Sequence, residues 1–383
     1  MNDQQEPVKN NEPHEHANDH AGLNQTPSPV NNAFWGAVLV VLTVLLAVVI
    51  WLAIGVFRKS VPDIPDNPDN PSGPSDPDNP DNPDDPNHPS TPDQPDNPGQ
   101  MYLVAKSAAT QEIPVKDTKI NGVYSKYAVL VNLSNMEMVA ELNADEVIYP
   151  ASMTKVMTLL VACETLTEEQ LDSYVTMSGD IITYMQQQDA SGAGLEANEE
   201  LKVRDLLYAI ALESDCAASM QIAEFVAGSE SAFVDMMNKK ATDMGLIKTH
   251  FVNSHGLHDA EHVTTCREMA SIMAAAMKNP LVKTLLSTES YECKTNIYTK
   301  RRSFYNTFFC DVVKPVRDAG FAVFPSNGKV IAAKTGMTDE AGCCLATYFE
   351  SSVGNTYVMI SAKASTSYMY VQDYLYVYET YAK

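Results

Sequence analysis

The sequence predicts a mixed α/β (α+β) fold over residues 101–383: a five-stranded antiparallel sheet flanked by helices, with a helical subdomain inserted. Three observations carry this. Strand patterns open the region as a pair, "YAVLVNL" (127–133) and "EMVAEL" (137–142), around a short turn at Ser134–Asn135. Three more close it, "KVIAAKTG" (329–336), "CCLATYFE" (343–350) and "TYVMISAK" (356–363). Between them lie only helical patterns, at 152–164, 203–213, 216–227, 231–244 and 265–278, and a last helix is expected near 370–382.

Ahead of this region the chain divides three ways. Residues 1–33 form a short acidic tail. Residues 34–57, "FWGAVLVVLTVLLAVVIWLAIGVF", are uncharged, and at 1.5 Å per residue they reach about 36 Å, enough to cross a bilayer with some tilt. The long apolar core and the acidic residues before it read as an uncleaved transmembrane anchor rather than a signal peptide. Arg58 and Lys59 flank the span on its C-terminal side, and the 24 residues before it carry no positive charge. That asymmetry alone puts the following region in the cytoplasm, although the rule is weakest for large translocated domains.

Residues 58–100 form a linker in which every third residue from Pro62 to Pro98 is proline, with Asp or Asn filling most gaps. Polyproline II has three residues per turn, so the prolines make one ridge with carboxylates on the other faces. At about 3.1 Å per residue it spans roughly 115 Å. The segment lacks the glycine and ligand spacing of a calcium loop and reads as an extended spacer. Of the net charge of -23, residues 1–100 carry -12 and residues 101–383 carry -11. No Lys/Arg cluster stands out, which excludes nucleic acid as a partner.

The chemistry begins at "YPASMTKVMTLL" (149–160). In a helix, residues i and i+3 share a face, so Lys155 lies one turn beyond Ser152. A serine near a helix N-terminus meets the positive end of the dipole, which favours a developing oxyanion. A lysine acting as its base must be uncharged, a form that burial and a neighbouring cation favour. The same spacing recurs from Ser326 to Lys329, but in "PSNGK", a turn with no helix to hold the pair together. Two further motifs follow in order: Ser214-Asp215-Cys216 between two helical runs, and Lys334-Thr335-Gly336 at the end of a strand pattern.

These three motifs, with the flanks "NADEVIYPASMTK", "SGAGLEANEELKVRDLLYAIALES", "THFVNSHGLHD" and "KTGMTDEAGCCLA", resemble the serine-type D-alanyl-D-alanine carboxypeptidases, the low-molecular-mass penicillin-binding proteins. The resemblance runs from about Tyr127 to the C-terminus and implies a β-lactamase/transpeptidase-like fold. It implies further that Ser152 attacks the D-Ala–D-Ala carbonyl with Lys155 as base, and that Ser214 relays a proton to the leaving amine. Lys334 and Thr335 would hold the substrate carboxylate, Lys334 also helping to keep Lys155 uncharged. Gly336 completes the third motif, and the backbone N–H groups of Ser152 and Met337 would form the oxyanion hole. The implied partners are peptidoglycan stem peptides ending in D-Ala-D-Ala, with β-lactams as covalent inhibitors and no cofactor. The additional β-rich domain and C-terminal anchor of many relatives are not expected, so membrane attachment falls to the N-terminal span and the catalytic domain lies outside the cell.

Two positions depart from the family pattern. Cys216 stands where asparagine is usual; it either contacts Lys155 or the substrate, or simply packs at a helix start. No arginine follows Arg317, so the carboxylate-binding arginine of the last strands is missing, and Lys363 is the candidate substitute. A transpeptidase, a β-lactamase and a non-catalytic wall-binding protein are the rival readings. His250, His255, His258 and His262 match no standard zinc spacing and are expected to be structural or at the surface. Of seven cysteines, Cys343 and Cys344 should point to opposite faces of a strand, and Cys293 and Cys310 are expected close together in a hairpin.

Overall fold

A computed structural model describes residues 102–293 and 301–383. The tail, span and linker expected over 1–33, 34–57 and 58–100 lie outside the described residues. Among the described residues no helix is long and apolar enough to cross a membrane.

The main sheet consists of β1 (Gln111–Glu112), β2 (Tyr127–Asn132), β3 (Glu137–Leu142), β4 (Gly328–Thr338), β5 (Gly342–Ser351) and β6 (Thr356–Ala364). Their order is β1-β3-β2-β6-β5-β4. The five long strands are antiparallel to their neighbours, as expected. The predicted count of five is corrected to six by β1, which pairs parallel to β3. Two residues are too few to show an alternation, so no pattern announces this strand. β6 beside β2 joins the two ends of the domain, with Tyr357 opposite Asn132.

Alternation along the strands divides the core in two. Val129, Val131, Val358 and Ile360 face one cluster; Ala128, Leu130, Tyr357 and Met359 face the other. On the second face lies α8 (Ser367–Tyr381), burying Tyr370, Tyr374 and Tyr378. On the first lie α6 (Cys266–Lys278) and the helical subdomain. Both faces are covered, which is why the strands read as nearly continuous apolar runs.

The subdomain is built on α1 (Thr154–Thr165), whose residues from Thr154 to Ala162 are all buried. Packed with it are α3 (Val203–Leu212), α4 (Cys216–Ala227), α5 (Glu230–Asp243) and α7 (Pro280–Ser287), while α2 (Gly179–Gln187) packs on α4. Side-chain caps set several starts: Asp215 for α4, Ser229 for α5 and Thr265 for α6. The periodicity of the sequence does not predict α2 and α7. Each is too short to repeat an apolar stripe, though both carry start signals: Ser178 capping the Ile181 N–H, and Asn279 before Pro280.

All seven thiols are unpaired. Cys343 and Cys344 do face opposite clusters. Cys293 and Cys310 do not share a hairpin, contrary to expectation. The hairpin of 290–292 with 303–305 sets Cys293 against Arg302, whereas Cys310 lies beyond it in a π-helical turn, Phe308–Val313.

Candidate active site

Ser152 sits in a 3-10 turn, Ala151–Met153, that leads directly into α1. Ala151 has φ of 46°, a left-handed conformation that a residue with a Cβ rarely adopts. From the first turn of α1 the Lys155 Nζ donates to Ser152 Oγ at 3.0 Å. Lys155 is fully buried. Its other contacts are the backbone oxygen of His255 at 2.5 Å and Cys216 Sγ at 3.4 Å. The amine thus has an acceptor in each of three directions, which fixes it against the serine.

Ser214 lies in the loop between α3 and α4, where it also adopts a left-handed φ, of 57°, and Cys216 opens α4. Asp215 between them holds the loop. Its two carboxylate oxygens accept from the N–H groups of Ala218, at 2.7 Å, and Ala193, at 2.6 Å. Burial raises its pKa above the usual carboxylate range, opposed by those N–H donors. Ser191 closes the loop from the other side: its hydroxyl donates to the Ser214 carbonyl at 2.9 Å and lies 3.5 Å from Cys216 Sγ. The 191–194 segment is itself tied down by Arg302. That guanidinium donates to Ala193 O at 3.2 Å and forms a two-pronged ion pair with Glu199 at 2.5 and 2.7 Å.

The third component is β4, the edge strand of the sheet. Lys334 is buried and donates to Ser214 Oγ at 2.9 Å and to the carbonyl of Thr335 at 3.0 Å. Burial first, and then the charge of Lys155, hold its amine well below the usual lysine range. Thr335 Oγ1 lies 3.1 Å from Thr307 Oγ1. Gly336 packs against the nucleophile turn so closely that a Cβ there would lie 3.0 Å from Ser152 N and 3.1 Å from Met153 N and Pro150 O. Met337, 72% exposed, is the next residue along.

The structure therefore brings Ser152, Lys155, Cys216, Ser214, Lys334 and Gly336 into one continuous set of contacts, with Thr335 and Met337 beside them. Cys216 is both buried and in contact with Lys155, so the two readings of this residue are not exclusive. Lys363 is engaged elsewhere, its amine donating to the Glu340 carbonyl. The turn copy of the Ser-x-x-Lys spacing leaves Ser326 exposed ahead of β4. The arrangement is one hydroxyl–amine pair, Ser152 with Lys155, facing a second, Ser214 with Lys334. Such a pair of pairs can pass a proton to and from a serine nucleophile and hold an anionic substrate.

Several contributors carry no signal in the sequence that assigns them to the site: Asp215, Ser191, Gly256 and the histidines. His255 is buried and supplies its carbonyl to Lys155; burial, then the nearby Lys155 charge, holds its ring at about 3. His262 is also buried, and burial pulls it down to about 4. Its Nε2 lies 2.7 Å from Thr154 Oγ1 in the first turn of α1. His258 packs edge-on against Tyr149. Gly256, at φ of 84°, lies under the nucleophile turn; a Cβ there would be 2.1 Å from the Ala151 oxygen. The family-like stretch "NSHGL" contains two of these, but nothing local says what they touch.

A protein-family profile described as D-alanyl-D-alanine carboxypeptidase matches residues 114–363. Among characterised relatives, the chain is 34% identical over 229 residues to D-alanyl-D-alanine carboxypeptidase DacF of Bacillus subtilis, covering 58% of this chain and 53% of that protein. It is 32% identical over 222 residues to the D-alanyl-D-alanine carboxypeptidase of a Streptomyces strain, covering 56% of this chain and 72% of that one. The match thus spans only about half the length of the Bacillus relative. A crystal structure of a Streptomyces DD-transpeptidase superposes with a TM-score of 0.58 at 24% identity, over 69% of this chain and 97% of that one. A D-alanyl-D-alanine carboxypeptidase of Mycobacterium tuberculosis gives a TM-score of 0.58 at 20% identity, over 72% and 94%. At these identities the structural likeness is one of fold.

Proposed function

We propose, from the premise that the chain belongs to the D-alanyl-D-alanine carboxypeptidase family, that it removes the terminal D-alanine of peptidoglycan stem peptides through an acyl-enzyme on Ser152. The observation that carries this reading is the 3.0 Å contact between Lys155 Nζ and Ser152 Oγ, with the Lys334–Ser214 pair at 2.9 Å across from it.

In this reading Lys155 acts once it has given up one proton: the freed lone pair takes the proton of Ser152 as its Oγ attacks the carbonyl of the penultimate residue. The terminal carboxylate lies against Lys334 and Thr335, and the oxyanion against the N–H groups of Ser152 and Met337. As the C–N bond breaks, a proton reaches the departing amine through Ser214, and D-alanine leaves. Water then attacks the ester with Lys155 as base, releasing the shortened peptide and restoring the serine. Cys216 holds Lys155 in place from the side where relatives usually carry asparagine. β-Lactams enter by the same attack, so they act as covalent inhibitors.

The apolar span over 34–57 and the extended spacer over 58–100 make the protein a single-pass membrane protein with its catalytic domain outside the cell, where cross-linkable wall peptide lies. The location of the substrate favours this orientation over the one that Arg58 and Lys59 suggest. Covalent labelling with a fluorescent penicillin tests the reading. Wild type should be labelled, Ser152→Ala should not, and wild type should release D-alanine from a stem pentapeptide. A folded wild type that is neither labelled nor active on the pentapeptide would overturn it. Protease added to intact cells should remove the domain if the orientation is right, and leave it untouched if the charge asymmetry prevails.

A further inference from the structure

Thr154 and His262 form a hydrogen-bonded relay that ends on the carbonyl of Ala151, the residue before the nucleophile. The Val252 N–H donates to His262 Nδ1 at 3.0 Å. In a neutral imidazole the proton is then on Nε2, which faces Thr154 Oγ1 at 2.7 Å. Having accepted there, the threonine hydroxyl directs its own proton to Ala151 O, also at 2.7 Å. Every donor and acceptor along this path has one direction, so the relay has a single arrangement. His262 is 2% exposed and its ring stands edge-on to Phe251, which fixes the ring plane.

What lies at the end of the relay gives it a consequence. A trans peptide is planar, and its C=O and N–H point to opposite sides. The carbonyl of Ala151 and the N–H of Ser152 belong to the same peptide. Anchoring that oxygen therefore sets the direction of the N–H. Ala151 is held in the left-handed region without being glycine, a conformation that persists only where the surroundings impose it. The oxygen is seated over Gly256, where a Cβ would come within 2.1 Å of it, and it also accepts from the Thr154 backbone N–H.

We propose that Thr154 and His262 are positioning residues for the oxyanion hole, holding the Ala151–Ser152 peptide so that the Ser152 N–H points at the carbonyl under attack. The proposal rests on the acyl-enzyme reading above. It predicts a loss in the chemical step rather than in binding, because neither side chain meets the substrate.

Saturation kinetics with a fluorescent penicillin separate the affinity of the initial complex, K, from the acylation rate constant, k2. Thr154→Val and His262→Leu should lower k2 by about 10- to 100-fold, short of the full loss of an oxyanion donor, and leave K within about 2-fold. Thr154→Ser and His262→Gln keep the donor and the acceptor and should stay within about 3-fold of wild type in k2. Circular dichroism and thermal melting establish that each variant is folded. Should His262→Leu fail to fold, Thr154→Val, which preserves side-chain size, decides the matter alone. A folded Thr154→Val acylated at the wild-type k2 overturns the proposal. So does His262→Gln losing as much as His262→Leu, since ring packing rather than hydrogen bonding would then be responsible. A folded wild type that is not acylated at all overturns the acyl-enzyme reading, and the proposal with it.

Discussion

Replacing Gly336 by alanine tests how tightly the edge strand is fitted to the nucleophile turn. Among the glycines with positive φ Gly336 does not figure, so space rather than backbone conformation decides the outcome. The new methyl would lie 3.0 Å from Ser152 N, 3.1 Å from Met153 N and 3.1 Å from Pro150 O. All three are backbone atoms of the turn, and none can rotate aside. Ordinary contact begins near 3.4 Å, so strand and turn must part by about 0.4 Å. That moves Lys334, Thr335 and Met337 together away from Ser152. If a 1 Å misplacement costs about 100-fold, 0.4 Å costs about 5- to 10-fold in acylation rate. Overpacking one methyl costs about 1–3 kcal/mol, of which a Gly→Ala change returns about 0.4–1 kcal/mol through the unfolded chain. The net loss is about 1–2 kcal/mol. The second-order rate constant for labelling by a fluorescent penicillin and the urea midpoint measure the two quantities. Wild-type values for both would refute the reasoning, because they require slack between strand and turn that the distances exclude.

Cys216→Ala removes one of the three acceptors around Lys155 and should slow acylation by about 10-fold, whereas Cys216→Asn should recover most of the rate; stopped-flow labelling distinguishes them. Breaking the half-buried Arg302–Glu199 pair should cost about 3 kcal/mol and loosen the 191–194 segment. In a double-mutant cycle followed by urea unfolding, Arg302→Ala with Glu199→Gln should lose clearly less than the sum of the single changes. Buried neutral histidines make stability depend on pH. His262 is held at about 4 when folded and returns to about 6.5 when unfolded, so the unfolded chain binds the extra proton. Its contribution is therefore intact above pH 6.5 and is lost as the pH falls toward 4, reaching about 2 kcal/mol by pH 5. The loss of stability between pH 7 and pH 5 should accordingly be smaller in His262→Gln by about that amount, and equal losses in the two proteins would contradict it.

The elements that the sequence makes legible are the ones with enough length to repeat. β2, β3, β4, β5 and β6 and the helices α1, α3, α4, α5, α6 and α8 all have patterns that reveal them, and each of the three motifs lies at the strand end, helix start or loop expected for it. α2, α7 and β1 escape notice because eight or nine residues of helix, or two of strand, bury too few side chains to show a period. The residue types of the site are equally legible, since a serine and a lysine three apart on a helix must be neighbours whatever the rest of the chain does.

Which residues complete those neighbours was decided by tertiary packing. Lys155 takes its carbonyl from His255, 100 residues away, and its thiol from Cys216, 61 away. Lys334 reaches Ser214 across 120 residues. The His262 ring meets Thr154 across 108, and Gly256 and Gly336 press on the same turn from different segments. No local preference specifies any of these pairs. They follow from how α1 is enclosed by its neighbours and set against the sheet edge. The sequence by itself therefore determined which groups could do the chemistry and the elements that carry them. The tertiary structure alone decided their orientation and surroundings, because hydrogen-bond direction and burial depend on neighbours that the chain supplies from a distance.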